Sequence, residues 1–81
     1  MSTRVNDRIE TLVHFKKGHL IPLRFLWKNH SYKIDSLTTS YQTRDGGVEH
    51  LHFAALCQGN FYELVFTPTD NSWFLTNIHT Q

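Results

Sequence analysis

Apolar residues recur at every second position through most of this chain. Leu23, Phe25 and Trp27 alternate with Arg24, Leu26 and Lys28. Leu51, Phe53 and Ala55 alternate with His50, His52 and Ala54, and Trp73 and Leu75 alternate with Phe74 and Thr76. Successive side chains of a strand point to opposite faces, so a period of two broken by short turns specifies strands. The pattern predicts an all-β domain: a strongly curled antiparallel meander or small open barrel of five to six strands.

The turns divide the pattern. Met1–Asn6 has no clear period and is expected to be a disordered tail, leaving one domain over residues 7–81. Ile9–Phe15 reads as a strand, with Ile9, Thr11, Val13 and Phe15 on one face. Two helical turns over Asp7–Phe15, with Ile9, Leu12 and Val13 in a stripe, are the alternative. Lys17-Gly18-His19 offers the next turn, and Pro22 stands near a strand start, where a missing N–H does least harm. If Asn29-His30 is the tip of the following hairpin, Trp27 faces Tyr32, Phe25 faces Ile34, Arg24 faces Asp35 and Leu26 faces Lys33. Leu37–Thr43 continues this ribbon, and Asp45-Gly46-Gly47 turns it. With Gly59-Asn60 at the next tip, Phe53 faces Phe66, Ala55 faces Leu64 and Cys57 faces Tyr62. An Asp70-Asn71 turn then sets Leu75 beside Phe66 and Trp73 beside Pro68.

A chain of 81 residues has a thin core, which its six Phe, three Tyr and two Trp must fill. Cys57 is the single cysteine, so no internal disulfide forms and an oxidised extracellular scaffold is disfavoured. No signal-like run opens the sequence, and no apolar stretch approaches the ~20 residues of a spanning helix. The expectation is a soluble, cytoplasmic domain that does not enter a membrane.

Chemistry is hard to find. His50 and His52 are two apart and share a face, and Glu63 on a neighbouring strand could join them as weak candidates for zinc or iron; surface pairing is the simpler reading. Cys57, Tyr62 and His79 could meet if both hairpin registers hold, but a thiol in an apolar alternating segment is a structural one. No carboxylate pair suits acid–base work, and Gly46-Gly47 lacks the Lys–Ser/Thr and helix of a phosphate loop. No catalytic residue, resident metal or cofactor is expected, and the chain is read as a non-enzyme.

Binding is the better prospect. Leu56, Val65, Phe74 and Ile78 fall out of phase with the core set and are expected on a second face, where they could dock a protein partner or a second copy. Charge is also uneven. Up to Lys33, Arg4, Arg8, Lys16, Lys17, Arg24, Lys28 and Lys33 oppose only Asp7 and Glu10, a balance of +5; from Ile34 on, Arg44 opposes five acids, a balance of −4. Lys16, Lys17, Arg24, Lys28 and Lys33 are the alternative site, a basic strand face for nucleic acid.

Three segments carry a resemblance: Arg24-Phe25-Leu26-Trp27 followed by Asn29 and Tyr32, then Phe61-Tyr62-Glu63-Leu64, then Trp73-Phe74-Leu75 after Asp70-Asn71. Together they resemble an uncharacterised small all-β bacterial domain family, found free-standing or appended to accessory proteins resembling translesion DNA polymerases. The likeness covers roughly Pro22 to His79, is loose through Leu37–His50, and has Asn29 where the family often has glycine. It implies an accessory role near nucleic acid or a repair complex and brings no catalytic residues with it.

Overall fold

The computed structural model describes residues 1–80. Seven strands follow one another: β1 (Ser2–Lys16), β2 (His19–Trp27), β3 (His30–Lys33), β4 (Ser36–Asp45), β5 (Val48–Cys57), β6 (Asn60–Thr67) and β7 (Ser72–His79). They form a single antiparallel sheet in the order β3-β2-β1-β7-β6-β5-β4. The all-β reading holds. The five to six strands in a strongly curled meander or small open barrel do not: there are seven strands, and β3 and β4 are two edges with no ladder between them.

The error lies in one connection. Leu37–Thr43 does not continue the β2–β3 ribbon. Instead the Ile34-Asp35 link carries the chain from one end of the strand order to the other, with Ile34 N–H donating to Leu23 O in β2 and Asp35 N–H donating to Leu56 O in β5. Alternation decides which face a residue takes but not which strand becomes its neighbour. β1 joins the two halves, its residues up to Ile9 pairing with β7 and those from Glu10 pairing with β2. The strand expected at Ile9–Phe15 therefore begins at Ser2 and takes in most of the expected tail.

The hairpins are also offset from expectation. Trp27 pairs with His30, Phe25 with Tyr32 and Arg24 with Lys33. The tip is Lys28-Asn29, both at positive φ (50° and 63°), the backbone that suits two tightly twisted strands. Likewise Cys57 pairs with Asn60, Ala55 with Tyr62 and Phe53 with Leu64, around Gln58-Gly59 at φ 49° and 83°. Between β6 and β7, Phe66 meets Trp73 and Leu64 meets Leu75. Each true pairing moves a residue two places along its partner, so the inward set survives while its partners change.

The core lies on one face. Ala55, Leu64 and Leu75 are fully buried at its centre, and Phe25, Cys57, Trp73, Tyr62, Phe53 and Ile9 surround them. Phe25 stacks on Tyr32 at 4.9 Å and meets Tyr62 at 5.4 Å, which ties β2 and β3 to β6 across this face. Phe53 and Phe66 pack on Trp73 at 5.7 and 4.9 Å. Irregularities in the ladders fall at Leu23, Val5-Asn6, Thr38 and Thr76. Buried Pro22 sits beside the first of these, where a strand tolerates a residue without N–H. The irregularity at Thr76 changes the phase of β7, so Ile78 turns inward and packs against the core.

Candidate docking surfaces and polar clusters

The expected apolar docking set is mostly covered. Val65 is buried, Leu56 and Phe74 are half-buried, and Ile78 belongs to the inner face. The exposed large apolar side chains are elsewhere: Leu12 (61%), Leu23 (43%) and Leu26 (41%) on β1 and β2, Phe15 (69%) at the end of β1, and Met1, Tyr41 and Val48 apart from them. Leu12 pairs with Arg24 and Leu26 with Glu10, while Ile9 and Phe25 on the same strands face the core. Leu12 and Leu26 therefore share the outer face, and Leu23 stands out beside them at the ladder irregularity. A shallow depression of about 260 Å³ opens among Glu10, Leu12, Arg24, Leu26 and Ser31. Leu26 was legible in the sequence as an apolar residue among the polar set of its own strand; Leu23 was not, because only the irregularity turns it out.

The basic set divides. Arg24 and Lys33 are direct cross-strand partners, and Lys28 is at the adjoining tip with its ammonium 5.1 Å from the Trp27 ring centroid. Arg24 also donates to Ser31 Oγ at 3.0 Å. Lys16 and Lys17 are at the opposite end of the β1–β2 hairpin, roughly 17 Å from Arg24 along β2 at the usual rise of a strand and farther still from Lys28. Asp35, the expected partner of Arg24, instead accepts Gln58 N–H at 3.1 Å.

His50 and His52 do share a face, on β5, but each is held by a threonine. His50 Nδ1 is 2.8 Å from Thr67 Oγ1, and His52 Nε2 is 2.8 Å from Thr43 Oγ1. Tyr41 stacks on the His52 ring at 4.5 Å and 3°. Burial lowers the His52 pKa, with Glu63 opposing and His50 assisting, while His52 Nδ1 is buried without a partner. Glu63 accepts from Thr76 Oγ1 at 2.6 Å and Asn77 Nδ2 at 3.1 Å. These bonds, that from Thr76 foremost, hold its carboxyl below the usual range against burial. Among the described residues, no three His, Cys, Asp or Glu side chains converge on a metal-sized site.

Cys57 is buried, and burial together with nearby Asp35 pushes its thiol up to about 11. Such a thiol is protonated at neutral pH and a poor nucleophile. His79 is exposed on β7 and pairs with Phe61, so it does not join buried Cys57 and Tyr62.

A cleft of about 610 Å³ separates β2 from β4. His19, Leu20 and Ile21 line one side, Leu37 and Ser40–Gln42 the other, and Leu51, Phe53 and Phe66 the floor. It exists because β3 pairs only with Arg24–Trp27, which leaves the first half of β2 uncovered. No helix in the described residues is long and apolar enough to cross a membrane. No family model, curated protein or solved structure matches this chain.

Proposed function

We propose that this chain is a non-catalytic accessory binding domain that docks to a protein surface, a second copy of itself included. The observation supporting this is the exposure of Leu12, Leu23 and Leu26 together on the outer face of β1 and β2. Covering each leucine on association removes apolar area from water, worth up to about 1.5–3 kcal/mol per fully buried side chain. Glu10 and Arg24 border the same patch. Opposite charges side by side suit a two-fold contact, in which each copy sets its acid against the other's base. Sedimentation velocity over a concentration series tests the homotypic form. A dimer that Leu26→Lys dissociates supports it; a monomer at every concentration removes it and leaves a different protein as the partner.

The second reading is a nucleic-acid-binding module, with the DNA-repair setting that the family resemblance implies. It is favoured by the Arg24–Lys33 pair, since two like charges opposed on neighbouring strands repel until an anion bridges them. Binding of single-stranded and duplex DNA and RNA across a salt series distinguishes it. Steep salt dependence that Arg24→Glu abolishes supports the basic face, and absence of binding at low salt rejects it.

A further inference from the structure

We propose a second binding site, independent of the leucine patch: the cleft between β2 and β4 takes a single extended peptide strand, apolar on one side and acidic at one end. β4 is an edge strand of ten residues, paired on one side only, with β5. Its free side therefore presents unpaired backbone donors and acceptors, which an added strand satisfies. Natural sheets guard such edges with charges, proline or irregularities. Between Ser36 and Thr43 this edge has no charge and no proline, and its one irregularity is at Thr38. The exposed Thr39–Thr43 stretch is left unguarded.

The occupant's width follows from the cleft's two walls. His19–Ile21 of β2 and Ser40–Gln42 of β4 line the same space, and the short Ile34-Asp35 link ties the two walls together at one end. An isolated strand enters such a slot. The edge of a second copy, backed by its own sheet, meets the β2 wall. Alternate side chains of the added strand point at the floor of Leu51, Phe53 and Phe66, which selects apolar residues at every second position. Charge selects the flank: no Asp or Glu lines the cleft, while Lys16 and Lys17 adjoin its lining residues Phe15 and Gly18.

The test is fluorescence anisotropy with the full chain and labelled peptides of about eight residues, a common strand length. The first probe alternates valine and threonine and ends in two glutamates. The second carries the same sequence with its backbone amides N-methylated, and the third ends in two lysines. We expect the first to bind at least tenfold more tightly than either control and to slow hydrogen exchange of amides within Thr39–Thr43. Ser40→Asp, at an exposed position beside the floor, should weaken it at least tenfold. Equal binding of the methylated peptide, protection confined to β1 and β2, or no binding by any probe overturns the proposal. Sedimentation of the Leu26→Lys variant reads the leucine patch separately, so failure of one site is distinct from failure of the other.

Discussion

Two buried polar atoms without partners, Thr11 Oγ1 and His52 Nδ1, set the terms at the scale of single residues. Thr11 shares its strand face with Ile9 and pairs with Phe25, where a hydroxyl loses water and gains nothing. Exchanging it for a methyl group of similar shape removes that cost, so Thr11→Val should stabilise the fold by roughly 1 kcal/mol, read from the urea midpoint. His52 behaves differently because it titrates. Burial lowers its folded pKa below the ordinary imidazole value of about 6.5, so the unfolded chain holds the proton more tightly. Its contribution is fully present above 6.5 and declines as pH falls through the lower folded value. Unfolding at pH 7 and pH 5 should show this loss, and His52→Phe, which keeps a ring against Tyr41, should flatten it. An unchanged slope in the variant would assign the effect to other groups. Sequence spacing did place His50 and His52 on one face and did mark Cys57 as structural. It could not reveal that Thr43 and Thr67 hold the two imidazoles, because those contacts depend on strand neighbours.

For the elements, the legible part was the face and the illegible part was the pairing. Phe25, Phe53, Ala55, Cys57, Leu64, Trp73 and Leu75 all point inward as their alternation required. Their partners were displaced because a two-residue tip needs positive φ at both positions, and Lys28 and Gln58 accept it where Asn and Gly would do so at less cost. Ile78 was lost for a related reason: no sequence signal marks the irregularity at Thr76 that turns it inward. The tip positions can be tested directly. Gln58→Asn produces the Asn-Gly pair that best suits such a turn and should stabilise the β5–β6 hairpin by about 0.5–1 kcal/mol. Were Gly59-Asn60 the tip, position 58 would belong to the strand and the same substitution would be neutral or destabilising, since Asn is a poor strand former. Urea unfolding of the variant decides between the two registers.

For the whole molecule, the strand order has a consequence for folding. Read from the β4 edge, the sheet runs β4-β5-β6-β7-β1-β2-β3, and only two breaks in chain order matter. β7 and β1 are neighbours although they lie at opposite ends of the sequence, whereas β3 and β4 are consecutive and unpaired. Met1 and Thr80 are already joined by backbone bonds, Thr80 N–H to Met1 O at 2.8 Å and the Met1 ammonium to Thr80 O at 3.0 Å. A permuted chain with a short Gly/Ser bridge between these ends, opened between Ile34 and Asp35, becomes a meander in which every paired strand follows its neighbour. The longest-range ladder turns into a hairpin and no existing hairpin is cut. Folding rate rises as contacts become local, because less chain entropy must be lost before a pairing is rewarded. The permutant should therefore refold about tenfold faster or more by stopped-flow tryptophan fluorescence. It should also unfold faster, because cutting Ile34-Asp35 releases the tie between β2 and β5. Loss of that tie widens the β2–β4 cleft, so the permutant should bind the alternating acidic peptide more weakly than the natural chain order does. Refolding at the original rate would mean that β1 and β7 pair only after the main barrier, and that the two halves of the sheet form before they meet.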